Sequence, residues 1–335
     1  MSQETITSPS QEDAIALAGV RKTFGSNVAV ENLDLVVPRG SLYGFIGPNG
    51  AGKTTTIRMI MSILFPDQGE LRVLGQASAL DAKDRIGYLP EERGVYRKMK
   101  VGRFLRYIGH LKGMGGIELH REVDQWLERV GLSEVVGKPC EELSKGMQQK
   151  VQFSSAVLHR PDLVILDEPF SGLDPVNMRL LRDLIREEHQ RGTTIIFSTH
   201  VMHQAEELCD HIVMIHNGRK MLDDNLQQIQ QRHDPRLIHL EPLDPEAATS
   251  VVDGLEGVSA VKEERPGAWQ VHLAEGADPH GVLRALVSAV PPQRVELHRP
   301  TLEDVFVEIV SRSDDRSERE VRDALQGVED EGVAA

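Results

Sequence analysis

The chain has 335 residues, a length that at roughly 150 residues per domain predicts about two domains. Apolar residues at 40% and charged residues at 27% belong to an ordinary globular composition, whereas aromatics at 4% exclude a nucleic-acid platform built on stacked rings. Fifty-two acidic against 38 basic residues leave a formal charge of −14, a field that opposes non-specific attraction to nucleic acid or anionic lipid.

Residues 1–13 are polar and acidic and lack the apolar run of a secretory signal; they are expected to form a solvated tail. No later stretch reaches ~18 consecutive apolar residues, so a chain that does not span or insert into a membrane is expected. The short apolar runs Ser41 to Ile46, Leu163 to Leu166 and Thr194 to Ser198 suit parallel strands buried on both faces. From about 97 to 160 the spacing becomes helical, as in Val101, Phe104, Leu105, Ile108, Leu111 and again Val123, Trp126, Leu127, Val130; this predicts a helical insertion between strands. Asn217-Gly218 within IVMIHNGRKML predicts a hairpin with a primed turn, followed by the helical NLQQIQQRH. Asp234-Pro235 is the expected domain boundary.

Beyond it the pattern predicts strand Arg236 to Glu241, helix Pro245 to Leu255, strand Val258 to Glu264, strand Ala268 to Ala274, helix Pro279 to Val290, strand Arg294 to Arg299 and helix Thr301 to Val310. That βαββαβ order is the split βαβ, ferredoxin-like arrangement. Residues 312–335 are charge-dense and are expected to be a tail with a short helix around 321–328. Cys140 and Cys209 have neither metal nor disulfide spacing, suit a reducing cytosol and read as small buried hydrophobes.

The sharpest chemical signal is GPNGAGKTT, comprising Gly47, Pro48, Asn49, Gly50, Ala51, Gly52, Lys53, Thr54 and Thr55, set between a strand and a helix. It satisfies the phosphate-cradling pattern G-x-x-x-x-G-K-[ST]. Small residues let backbone N–H groups turn inward to phosphate oxygens, Lys53 reaches the terminal phosphates, Thr54 offers a hydroxyl to Mg²⁺, and the helix N-terminus favours an anion. LVILDEP places Asp167 at the end of an apolar strand as a metal carboxylate and Glu168 next to it as a general base toward water.

The phosphate loop, ELSKGMQQK, LDEPFSGLDP and FSTH, in that order and without a second copy, resemble the nucleotide-binding subunit of an ATP-binding cassette (ABC) transporter over roughly residues 12–230. The resemblance implies a P-loop NTPase of the α/β class with the ABC ATPase fold and a helical subdomain, to which the βαββαβ pattern adds a small C-terminal α+β, ferredoxin-like domain. The implied organisation is an ATPase domain over 14–233 and an accessory domain over 234–311, between tails at 1–13 and 312–335.

Leu143, Ser144 and Gly146 match the family's signature loop, from which Lys145 and Met147 depart. The family uses that loop against the γ-phosphate of ATP bound to the opposite subunit, and Ser144 also reads as a helix N-cap. Asp174 falls in the loop that couples the two ATP sites, His200 where the family's histidine donates to the γ-phosphate, and Phe24 where an aromatic stacks on adenine. Glu91 replaces the usual Gln; its carboxylate can ligate Mg²⁺ but adds negative charge near the phosphates.

GYLPEERGVY and the terminal TLEDVFVEIV resemble a narrower branch, the ATPases of two-component sodium-efflux and antibiotic-efflux exporters. The implied protein is an ATPase that uses ATP and Mg²⁺, forms a homodimer, and is held to the cytoplasmic face of the membrane by a separate permease. The competing class, a soluble cassette ATPase of translation or DNA repair, carries two cassettes or a long inserted coiled coil, and this sequence has neither.

Overall fold

The computed structural model describes residues 13–92, 94–233, 236–244, 251–314, 317 and 320–321. They fall into two compact units, one reaching Leu226 and resuming at Ile309, the other spanning Gln227–Glu308.

In the first unit, the antiparallel strands β1 (Asp13–Phe24), β2 (Asn27–Pro38) and β4 (Gln68–Val73) form a three-stranded sheet in the order β2-β1-β4. A six-stranded sheet runs β5 (Ile86–Leu89), β6 (Leu163–Asp167), β7 (Thr194–Thr199), β3 (Leu42–Ile46), β8 (His211–His216) and β9 (Arg219–Asn225). Its first five strands pair in parallel, and every residue of β3, β6 and β7 is buried, as suits their largely apolar runs. The two sheets share one core, in which Ile15, Leu33, Phe45, Ile57, Ile165 and Val213 are almost completely buried.

Register aligns the ends of the central strands. Ile46 of β3 pairs with Thr199 of β7, and Asp167 of β6 pairs with Ser198 of β7, so three strands end level along one edge. Helix α1 (Lys53–Ile60) leaves that edge after β3. Between β5 and β6 stand α2 (Val101–Leu111), α3 (Gly116–Arg129) and α4 (Lys145–Val157), the helices expected from the spacing over 97–160. Helices α5 (Pro175–Gln190) and α6 (Met202–Leu208) precede and follow β7. Asn217 and Gly218 both have positive φ, 48° and 75°, so the β8–β9 hairpin has the primed turn that Asn-Gly dictates. Helix α7 spans Leu226–Arg232.

In the second unit β10 (Leu237–Pro242), β11 (Val258–Arg265), β12 (Ala268–Leu273) and β13 (Pro292–Leu297) form an antiparallel sheet in the order β11-β12-β10-β13. With α8 (Pro279–Ala289) between β12 and β13, this is the strand order of a ferredoxin-like sheet. Strand β13 starts and ends two residues earlier than its sequence pattern suggests. Most of the helix expected over 245–255 lies outside the described residues. Helix α9 (Leu302–Asp314) continues past its expected end at Val310, and the helix expected around 321–328 lies outside the described residues apart from Val321, which is buried. Both cysteines are buried and unpaired.

His159, just beyond α4, makes the join between that helix and β5 sensitive to acid. Its Nε2 lies 3.2 Å from the carbonyl of Ile86, which also accepts from Lys112 Nζ at 2.8 Å, while its Nδ1 is buried without a partner among the described residues. Burial, then the Lys112 charge, pushes the imidazolium down to about 4. Because the folded value lies below the ordinary 6.5, the unfolded chain binds the extra proton between those limits, so stability is lost as pH falls from about 6.5 through 4. The full effect is on the order of 3 kcal/mol. Urea denaturation at pH 7 and pH 5 is expected to show a loss for the wild type that His159→Gln reduces.

Candidate functional site

The phosphate loop is shaped by close approach of backbone to backbone. Gly47 has φ 154°, and a Cβ there would sit 2.1 Å from the carbonyl oxygen of Ile215; at Gly52, φ 106°, it would sit 2.5 Å from that of Ala29. No other residue type fits either position. The turn of the β8–β9 hairpin braces the loop from outside, with Gly218 N–H donating to Ala51 O and Glu31 N–H to Gly218 O, both at 2.9 Å. Lys53 folds back across the loop, its buried ammonium donating to Gly47 O at 2.6 Å and Pro48 O at 3.0 Å. Burial pushes its pKa down, and the carboxylates of Glu168, Asp167 and Glu91 pull it back up.

Asp167 ends β6 fully buried, and neither of its carboxylate oxygens makes a hydrogen bond of ordinary geometry. Burial pushes it up to about 6 against the pull of the neighbouring Ser198 hydroxyl, and Glu91 and Glu168 push it further. Glu168 is held differently. Its φ of 47° is unusual for a residue with a side chain, and its N–H donates to Ser198 O at 2.9 Å. Its Oε1 accepts from His200 N–H at 2.8 Å and lies 2.7 Å from His200 Nδ1, while Oε2 accepts from the Thr199 hydroxyl at 3.1 Å.

An open cavity of about 610 Å³ is lined by Asn49, Gly50, Ala51, Gly52, Lys53, Thr54 and Thr55 of the loop, by Glu91, Asp167 and Glu168, and by Phe24. Phe24 is 47% exposed at the end of the central strand of its sheet, which is not the setting of a core aromatic. Gly47, Pro48 and His200 are not among the lining residues; the first two touch the cavity wall only as acceptors of the Lys53 ammonium, and His200 only through Glu168. Sequence reasoning missed Asn27, Val28, Ala29 and Asn217, which line the same cavity; the Asn217 turn is readable in the sequence, but nothing in the pattern sets it beside the loop.

Ser144, Gly146 and Asp174 are not among the lining residues. Ser144 is the N-cap of α4, its Oγ accepting from Met147 N–H at 3.3 Å. Asp174 caps α5, accepting from the N–H groups of Val176 and Asn177 at 3.0 Å, and its bonds with Asn177, then Val176, hold its carboxyl below the usual range. The two caps are near neighbours, since a Cβ on Gly146 would lie 3.4 Å from Leu173 Cδ2.

Comparison with known proteins agrees with this geometry. Residues 30–171 match the family model described as ABC transporter, and residues 225–310 the one described as ATP-binding protein DrrA1-3-like, C-terminal domain. The uncharacterized ABC transporter ATP-binding protein YhaQ of Bacillus subtilis is 40% identical over 87% of this chain and 96% of its own length. The bacitracin transport ATP-binding protein BcrA of Bacillus licheniformis is 30% identical over 88% of this chain and 97% of its own. A solved structure described as the ATP binding subunit of an ABC transporter superposes with a TM-score of 0.61 at 31% identity, covering 65% of this chain and 92% of that one.

The loop geometry predicts that Gly47→Ala cannot be accommodated. Overpacking a well-filled site and forcing a side chain into an unfavourable φ together cost roughly 2–5 kcal/mol. Chemical denaturation of the purified variant is expected to show that loss, together with loss of nucleotide binding in titration.

Proposed function

The chain belongs to the ABC transporter family of ATP-binding subunits, an ATPase family, and from that premise we propose that it dimerises around two ATP molecules and drives export through a separate membrane permease. The observation that carries the dimer is the placement of Ser144. The cavity holding Lys53, Asp167 and Glu168 is not lined by the signature residues, which stand instead at the capped head of α4 beside the Asp174 loop. A helix N-terminus with a capping hydroxyl is an anion site in search of an anion. In a homodimer, the Ser144 of each subunit would meet the γ-phosphate held by Lys53 of the other. Export is supported by relatives named for it, such as the Nod factor export ATP-binding protein I of Sinorhizobium fredii, 32% identical over 89% of this chain and 86% of its own length.

The catalytic work falls to the ATPase domain, 14–233, and the domain at 234–311 serves as an accessory. Phe24 stacks on adenine, and the loop from Gly47 to Thr55 and Lys53 take the phosphates. The residues fit Mg²⁺: Asp167 offers two buried, unpartnered oxygens, with Thr54 and Glu91 on the same cavity. Bound there, Mg²⁺ would neutralise charge on the phosphates and on these carboxylates. Among the described residues no cluster of three or more His, Cys, Asp or Glu side chains is arranged to hold a metal by itself, and Mg²⁺ is an ion commonly held by one or two carboxylates. Glu168 takes the proton of the attacking water, His200 steadies the γ-phosphate, and Asp174 links the paired sites. Among the described residues no helix is long and apolar enough to cross a membrane, and attachment to its cytoplasmic face is proposed to run through the permease.

Glu168→Gln is expected to retain ATP binding and to slow phosphate release on the order of 10²- to 10⁴-fold, the worth of a positioned base. Near-wild-type turnover would remove Glu168 from the mechanism. The dimer is tested by mixing Lys53→Ala with Ser144→Arg chains. Each parent has two damaged sites, whereas the heterodimer has one site with both residues intact. Activity recovered on mixing is expected once labelling shows subunit exchange, and a heterodimer as inactive as its parents would refute the composite site.

A further inference from the structure

The assignment of Glu168 as base leaves open what aims it. A carboxylate has about four lone-pair sites. On Glu168 the backbone N–H and Nδ1 of His200 engage two at Oε1, and the Thr199 hydroxyl engages one at Oε2. Among the described residues nothing engages the remaining site, on Oε2. Thr199 is fully buried, and its oxygen accepts from Val201 N–H at 3.0 Å. Its single proton has two acceptors within reach, Glu168 Oε2 at 3.1 Å and Gln204 Oε1 at 3.2 Å. A bond to an ionised carboxylate is roughly twice as strong as one to a neutral amide, so the proton goes to Glu168.

We propose that Thr199 is a positioning residue for hydrolysis, its hydroxyl fixing the rotation of the Glu168 carboxylate so that the free site on Oε2 receives the water's proton. The inference rests on the proposed role of Glu168. In the step it serves, the water oxygen bonds to the γ-phosphorus as its proton passes to Oε2. The bond from that phosphorus to the bridging oxygen breaks with its electron pair on ADP, and the proton later leaves to solvent. The positive φ of Glu168 is a backbone geometry that persists only where the surroundings over-determine it, and the bonds to Ser198, Thr199 and His200 supply that hold.

Two hydroxyl-free variants of the full-length chain, Thr199→Val and Thr199→Ala, differ in volume but not in the missing donor. Both are expected to lower kcat about 10- to 100-fold, the worth of a hydrogen bond to a charged group, with KM for ATP unchanged. Thr199→Ser is expected to restore most of kcat, and Thr199→Val in the Glu168→Gln background to add no further loss. In the nucleotide-free chain, amide exchange at His200 followed by NMR is expected to accelerate in Thr199→Val but not in Thr199→Ser. Losses that track side-chain volume, a rise in KM alone, or an undiminished effect in the Glu168→Gln background would overturn the proposal. Should Glu168→Gln itself turn over normally, the base reading fails and this inference with it. Unchanged exchange at His200 shows instead that the link from Thr199 to Glu168 is what failed.

Discussion

Level ending of β3, β6 and β7 is the constraint on which the site depends. Parallel pairing places Ile46 opposite Thr199 and Ser198 opposite Asp167. The next residue on each chain, Gly47, Glu168 and His200, therefore emerges at one edge. A slip of one residue in any of these strands would turn its side chains to the opposite face, carrying Asp167 away from Lys53. Complete burial of all three strands makes such a slip costly, because each fully buried Leu, Ile or Phe contributes about 1.5–3 kcal/mol. The chemistry is thus held in place by the core beneath it.

That edge gathers charge which the described protein does not balance. Asp167, Glu168 and Glu91 share a cavity with the Lys53 ammonium, which is turned back onto the carbonyls of its own loop. A buried carboxylate without a partner is expensive, and Asp167 answers by holding its proton up to about 6. The three carboxylates respond to different neighbours: Glu168 is tied to the end of β7, Asp167 has the Ser198 hydroxyl nearby but no well-formed hydrogen bond among the described residues, and Glu91 stands at the open cavity. Glu168, tied by hydrogen bonds, and Asp167, without one among the described residues, thus owe their different environments to successive positions at a strand end, where one side chain faces inward and the next turns along the neighbouring strand.

Much of this is legible in the chain. The phosphate loop, the Asp167-Glu168 pair, the helical insertion, the Asn217-Gly218 turn and the ferredoxin-like order each depend on a local pattern whose geometry is set within a few residues. The sheet of β1, β2 and β4 is not. Its strands are half-buried, bulged and interrupted by charged residues, and their pairing joins Ile15 to Val73 across 58 positions, which no local period reveals. Asn27, Val28 and Ala29 escape for the same reason, since they reach the cavity only because β2 folds back on β1. Thr199 escapes because a threonine in an apolar strand run is an ordinary β-former; only the positive φ of Glu168 and the distances around it separate it from its neighbours.

Ser144 and Asp174 show where a bland reading and a specific one coincide. Both are ordinary N-caps, each satisfying backbone donors that the first turn of a helix leaves open. Capping accounts for a Ser and an Asp at these positions, and each would be chosen for stability by about 1 kcal/mol alone. It does not account for the two helix heads lying side by side, with Gly146 against Leu173, away from the phosphate loop, of which this sequence has one copy. One cap uses a neutral hydroxyl and its neighbour a carboxylate, so the caps themselves differ in how much of the partial positive charge of their own helix start they offset. Of the two heads, α4 has the less negative cap of its own. In the proposed dimer, a second copy of the chain would bring a phosphate to that head.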